Sequence, residues 1–371
     1  MLSRYAWWDF DLGGPLNLTL SQIGPNTVVK FLAFIFPPKA VIIILLFLIT
    51  LTAFFFFKKL LDFLNQKSFL NYLSALLFAF SPFLFSDIIG GSWYMWVSYV
   101  AAPLFFLNLV KFSQEGKVKY LLGFLTTAVF VIASLQHFFL IELVTFAYLI
   151  FQLFINKELN LKKVILYWIS AQALLIAFNL YWLLPFFFSF GDFVKSSSEA
   201  SFAGAFESVR YSTQNLLSIA SLTGYLDRNL YYYALNEGLV AFMSLAVFVI
   251  WGSIISFFIW GKKEAKIKAS VWLIILFLLG LIIKGGNNPL GELTMWIYNH
   301  FPLMRLYRSP QHLMFVAAFI IPVLFSFSLN FCYQAFVKYR KLILSGFALC
   351  LFFWLSGWWF NGDLGHEILK N

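Results

Sequence analysis

Charge is scarce in this chain. Only 11% of its 371 residues are Asp, Glu, Lys or Arg, against roughly 25% in soluble domains. With 61% hydrophobic residues and a mean hydropathy of +0.83, it reads as a polytopic membrane protein. Cysteine is almost missing. Cys332 and Cys350 lie in or beside late apolar segments, so no disulfide framework is indicated. The four histidines, His137, His300, His312 and His366, are scattered. There is no Walker loop, no G-x-G-x-x-G, no H-E-x-x-H and no cysteine spacing for a metal. Nucleotide-dependent chemistry of the soluble kind therefore has no motif to rest on. The net charge of +10 belongs to particular loops and is not a nucleic-acid footprint.

What the chain does have is long apolar runs. A crossing needs about 20 apolar residues. Ten segments qualify as helices: 39–57, 69–86, 95–112, 118–135, 137–155, 164–188, 238–260, 269–284, 310–332 and 342–360. The expected fold is an all-α transmembrane bundle of about ten helices, one domain over 1–371, with long extracytoplasmic loops. Ser134-Leu135-Gln136-His137 leaves almost nothing to join the fourth and fifth segments, which predicts a tight hairpin with its turn below the surface. Lys284-Gly285-Gly286-Asn287-Asn288-Pro289 ends the eighth at a broken point.

Charge sets the orientation. Five short loops hold Lys58, Lys59 and Lys67; Lys111, Lys117 and Lys119; Lys157, Lys162 and Lys163; Lys262, Lys263, Lys266 and Lys268; and Lys338, Arg340 and Lys341. These are 16 of the 26 cations, and the positive-inside rule makes their loops cytoplasmic. The other side carries the long segments 1–38, 189–237 and 285–309 and the tail, and with Lys39, Lys284 and Asp87 it holds ten cations and eleven acids. The predicted protein is a multi-pass resident of the cell membrane whose working face is extracytoplasmic. With ten crossings residue 1 falls outside, and nothing before residue 38 reads as a signal or first helix. An apolar helix upstream of Met1 is expected, as is an extracytoplasmic domain beyond the polar tail.

Several residues on the outer side suit chemistry. Tyr307-Arg308-Ser309-Pro310-Gln311-His312, with Arg305 just before it, sets fixed cations and a helix-starting proline directly ahead of an apolar segment. Such a pair is a seat for an anion or an anchor on lipid headgroups. Asp9 and Asp11 form a D-x-D followed by Gly13-Gly14-Pro15. The pair suits a divalent cation such as Mg or Mn, or a general base, and it is also ordinary in a solvated loop. Asp87 leads into Trp93, Tyr94 and Trp96, an aromatic belt or a sugar-stacking surface. Tyr181 and Trp182 close the sixth segment before the loop 189–237. In that loop Lys195 and Arg210 are candidate contacts for a phosphate or glycan, or plain surface charge, and Phe202, Phe206, Leu216, Leu217 and Ile219 suit interfacial helices. Within an apolar run, His137 and Glu142 mark a possible intramembrane polar site, though five residues apart is off the helical spacing.

The sequence resembles the GT-C superfamily of polytopic glycosyltransferases, and within it the membrane region of α-(1→3)-arabinofuranosyltransferase-like proteins. The resemblance rests on Trp8 to Pro15, Gly90-Gly91 with Pro103, Tyr181-Trp182-Leu183-Leu184-Pro185, and Pro302 followed by Arg305 to Pro310. It implies transfer of a sugar from a polyprenyl-phosphate donor to an extracytoplasmic glycan or lipid-linked acceptor. Asp9 and Asp11 would then hold the catalytic role, and Arg305, Arg308 and His312 would bind the donor phosphate. Asp87, Trp93, Tyr181, Trp182 and Arg210 would contact acceptor or sugar. Two other classes fit the composition: a lipid-linked glycan transporter or flippase, which would show inverted repeats and broken midplane helices, and a noncatalytic assembly protein.

Overall fold

The computed structural model of the chain describes residues 23–65, 67–84, 93–156, 159–196, 216–222, 237–287, 290–300 and 313–359. Among these residues there are thirteen α-helices and no strand. Helices satisfy their own backbone, which is what a bilayer demands of a spanning segment. They are α1 (Ile23–Ile35), α2 (Pro38–Leu64), α3 (Asn71–Ala79), α4 (Trp93–Glu115), α5 (Val118–Val131), α6 (Leu135–Ile155) and α7 (Leu161–Ser196). After these come α8 (Leu216–Ser221), α9 (Glu237–Trp260), α10 (Lys263–Ile283), α11 (Gly291–His300), α12 (Met314–Ala335) and α13 (Arg340–Trp359).

Each of the ten apolar segments carries one of these helices. Six are long and apolar enough to cross a membrane: α2, α4 from Tyr94, α6, α7 as far as Tyr181, α10 and α12. Shorter apolar helices lie at Pro25–Ile35, Asn71–Leu84, Val118–Val131 and Ser244–Trp260. The boundaries have local causes. Pro38 opens α2, where its missing N–H costs nothing. α3 stops early because Pro82 follows. Ser81 leaves the helical path before that proline, and its Oγ accepts from the Leu84 N–H at 3.2 Å. The α5–α6 turn at Ile132–Ser134 is buried, and Ser134 Oγ accepts from the His137 N–H to cap α6. Two helices stand in segments read as outer loops, α1 within 1–38 and α11 within 285–309.

Two helices form the centre. In α12, every residue from Met314 to Leu329 is buried, and 89% of its most apolar window is enclosed by protein. For α4 the share is 78%. α4 packs on α2, α5, α6 and α7, and α12 packs on α3, α9 and α10. Lipid supplies no hydrophobic force between helices, so close packing and hydrogen bonds must hold them. At the α4–α5 contact a Cβ on Gly123 would sit 2.8 Å from Asn108 Nδ2, so a larger residue there would have to push the Asn108 side chain aside. Phe57 and Phe78 stack at 4.0 Å, and Phe78 and Tyr99 at 4.2 Å. Trp272 on α10 joins them to the rest through Phe106 at 5.5 Å, Tyr148 at 5.3 Å and Phe319 at 6.2 Å.

The lysine-rich loops share one end of the bundle. Lys111 lies 5.1 Å from the Phe63 ring, Phe69 meets Tyr333 at 5.4 Å, and Arg340 sits 4.6 Å over Tyr333. The opposite end receives the start of α4, the end of α10, and α11.

Candidate functional site

Most of the outer candidates, Asp9, Asp11, Asp87, Arg210, Arg305, Arg308 and His312, lie outside the described residues. So does Lys195's side chain, although its backbone closes α7. Trp93 opens α4 and Trp182 lies in α7, with both side chains outside the described set. Tyr181 is on α7 and exposed. Of the residues suggested for interfacial helices, Leu216, Leu217 and Ile219 fall in α8, where Ile219 is buried.

The sequence bearing Arg305, Arg308 and His312 runs directly into Leu313, which is 2% exposed, and then into α12. That cation pair therefore precedes the most enclosed helix of the bundle and not a rim helix.

His137 and Glu142 are both on α6 but face different neighbours. The His137 ring is wholly buried and stacks on Phe315 of α12 at 4.4 Å, with Phe83 at 6.1 Å. Glu142 faces α7, where Gln172 Nε2 donates to its Oε1 at 2.9 Å. Its described partner is thus an amide and not a cation. The other oxygen, Oε2, has no hydrogen-bond partner among the described residues, and neither has Trp168 Nε1, one turn before Gln172. The acid and the amide thus form an intramembrane polar pair in which the acid keeps one oxygen to spare. Sequence reading found Glu142. Gln172, thirty residues away on another helix, carries no local signal that links the two.

A second polar group escaped the sequence reading. Lys58 donates to Asp62 at 2.5 Å, Asn71 Nδ2 donates to Asp62 at 2.8 Å, and Ser326 Oγ donates to Asn71 Oδ1 at 2.8 Å. Asn330 adds a bond to the Ser326 carbonyl at 2.9 Å. Ser253 and Ser328 hydroxyls meet at 3.0 Å. These bonds tie α2, α3, α9 and α12 together. They look like glue for helices, not like a reaction centre.

At the opposite end, the chain after α10 folds tightly. Lys284 is fully buried and donates to the Asn287 carbonyl, and Asn287 Nδ2 donates back to the Lys284 carbonyl at 3.1 Å. Burial lowers the Lys284 pKa below its ordinary value. Leu290 takes a positive φ of 61°, a strained state for a branched side chain. A Cβ on Gly291 would lie 2.0 Å from the Gly286 carbonyl, so this turn admits only glycine there. Sequence reading saw the breakers but not the buried cation. Lys284 lies at the end of α10 away from the lysine-rich loops. Among the described residues no group of three or more His, Cys, Asp or Glu is placed to hold a metal ion.

Comparison with protein-family models, with curated proteins and with solved structures finds no match to this chain.

Proposed function

We propose that the protein is a membrane glycosyltransferase of the GT-C type. It crosses the bilayer ten times, with the lysine-rich loops in the cytoplasm. On the outer side it moves a sugar from a polyprenyl-phosphate donor to a glycan or lipid-linked acceptor. The observation that carries this reading is the run from Arg305, Arg308 and His312 straight into the buried helix α12. Cations that precede the enclosed centre suit a polar headgroup whose hydrocarbon tail stays in lipid.

In the proposed step the acceptor oxygen forms a bond to the anomeric carbon, and the bond from that carbon to the phosphate oxygen breaks. Asp9 or Asp11 takes the hydroxyl proton. Arg305 and Arg308 hold the departing phosphate as its charge grows, the arginine fork fitting two oxygens at once. A single displacement inverts the sugar carbon.

The test uses polyprenyl phosphate itself as ligand. Binding to the purified protein should saturate, and Arg308→Lys, which keeps charge but loses the fork, should weaken it by about tenfold or more. Equal binding by wild type and variant would remove the phosphate seat. Orientation is tested separately by cysteine labelling in intact cells. Residues 196–201 should label from outside and 262–266 should not.

One observation favours a second reading. The Glu142–Gln172 patch inside the membrane is what a transporter of lipid-linked glycans would use along its path. Loss of transport by Glu142→Gln, with no sugar transfer in wild type, would choose it.

A further inference from the structure

At the lysine-rich end, five helices converge around a cavity of about 200 Å³. α6 presents Tyr148, Gln152 and Asn156 to it, one residue per turn on one face. α10 presents Lys268 and Trp272, also one turn apart. Gln114 enters from the end of α4, and Phe63, Leu64 and Phe327 complete the wall. The base is the stacked pair Tyr148 and Trp272 at 5.3 Å, braced by Phe106.

The arrangement inverts what the end of α6 would show if it merely met water. Phe154 is 79% exposed and Ile155 is exposed beside it, while Gln152 points to the cavity. Gln152 turns toward the cavity and Asn156 and Lys268 line its exposed mouth, so polar groups gather on the cavity side of this helix end and apolar ones on the other. Among the described lining residues there is no Asp or Glu, but there are three amides and one ammonium. Donors therefore prevail. Of the described acids near this end, Asp62 is engaged by Lys58 and Asn71 and Glu115 by Lys117 at 2.6 Å, while Glu264, one turn before Lys268, is outnumbered by Lys262, Lys263, Lys266 and Lys268. Lys111 stands beside the lining residue Phe63, adding to the positive field. The amide carbonyls are acceptors, but Lys268 and the lysines around it repel a cation, whereas an anion has Lys268 and the amide N–H groups. The volume equals roughly six or seven waters at about 30 Å³ each, and pockets for drug-sized ligands start near 300 Å³. A nucleotide is too large, while a phosphate with a short polyol stub fits.

We infer that this cavity is a second anion site, for a phosphate mono- or diester, at the end of the bundle opposite the proposed donor seat. Lys268 supplies the charge, Gln114, Gln152 and Asn156 supply directional N–H groups, and the Tyr148–Trp272 rings seat the carbon face of the short polyol stub. The phosphate comes either from a lipid headgroup entering between helix ends or from a soluble ester.

The test is a thermal-unfolding titration of the delipidated full-length protein in neutral detergent. The probes are inorganic phosphate, glycerol 3-phosphate, and phosphatidylglycerol in mixed micelles, with sodium chloride at matched ionic strength as reference. Wild type should show a saturable rise in transition temperature beyond the chloride reference. Lys268→Gln at the exposed rim should weaken the apparent affinity by about tenfold, the worth of one hydrogen bond to a charged group. Gln152→Leu should weaken it less. A rise with the water-soluble probes identifies a soluble ester, and a rise with phosphatidylglycerol alone identifies a lipid headgroup. No rise beyond chloride with any probe would overturn the site. So would an affinity unchanged in both variants, since the anion would then be bound elsewhere.

Discussion

α12 and the lipid-facing part of α7 are both strongly apolar helices, yet they do opposite work. α12 is enclosed over 89% of its most apolar window, and α7 over 17%. Hydropathy does not separate them, because lipid and protein interior are about equally apolar. The difference lies in side-chain size and hydrogen bonding. α12 carries Ala317, Ala318, Pro322, Ser326 and Ser328, all buried, which let neighbouring helices come close and bond to it. α7 shows Leu166, Ile176 and Phe178 outward, bulky groups suited to acyl chains. Small residues alone do not set the contrast, since Ala173 and Ala177 of α7 are exposed; what α12 adds is the hydrogen bonds its serines make to other helices.

Substitutions can break that contrast. The largest effect is expected for Phe319→Ala in α12, which empties the contact with Trp272, Phe57 and Phe106. A loss of about 3 kcal/mol is expected for such a buried aromatic, measured by reversible unfolding in bicelles. Next is Ser326→Leu, which overfills a fully buried position and removes the hydroxyl that donates to Asn71 Oδ1. About 2 kcal/mol should be lost. Gln172→Leu removes the amide from Glu142 and should cost roughly 0.6–1.7 kcal/mol, the range of single hydrogen bonds between membrane helices. The smallest effect is expected for Phe178→Ala on the exposed face of α7, within about 0.5 kcal/mol of zero. If Phe178→Ala costs as much as Phe319→Ala, the α7 face is packed against something other than lipid, and the contrast fails.

The helices were legible in the sequence because apolar length alone forces them. Their roles were not. Nothing in the run from Met314 to Leu329 announces that it is buried on all sides, since an apolar helix reads the same in lipid as in protein. α1 and α11 were missed because each is short and mixed in composition, 13 and 10 residues, below what spanning demands. The break at Ser81 was missed because Pro82 sits inside an otherwise unbroken apolar run. Glu142 was legible as an acid out of place, and its partner was not, because the contact joins two helices. Asn71 and Ser326, 255 residues apart, were likewise invisible. For Asp9, Asp11, Arg305 and Arg308 only the sequence reading stands, as they lie outside the described residues.

The short helix α5 has a consequence for the lipid around it. Fourteen residues at about 1.5 Å each reach only about 21 Å, while the hydrocarbon core is about 30 Å thick. The turn at Ile132–Ser134 is buried in protein at that depth. α5 thus covers only part of the hydrocarbon thickness, while α6, which starts at the same turn, has 21 residues and is long enough to cross. Hydrophobic mismatch of this size is met by thinning of the leaflet on that side, at fractions of a kcal/mol per Å. The bilayer next to α5 should be pinched on the face away from the lysines, and short-chain lipids should gather there. A long-chain membrane would tilt the hairpin, and with it Glu142 would move relative to the lipid surface.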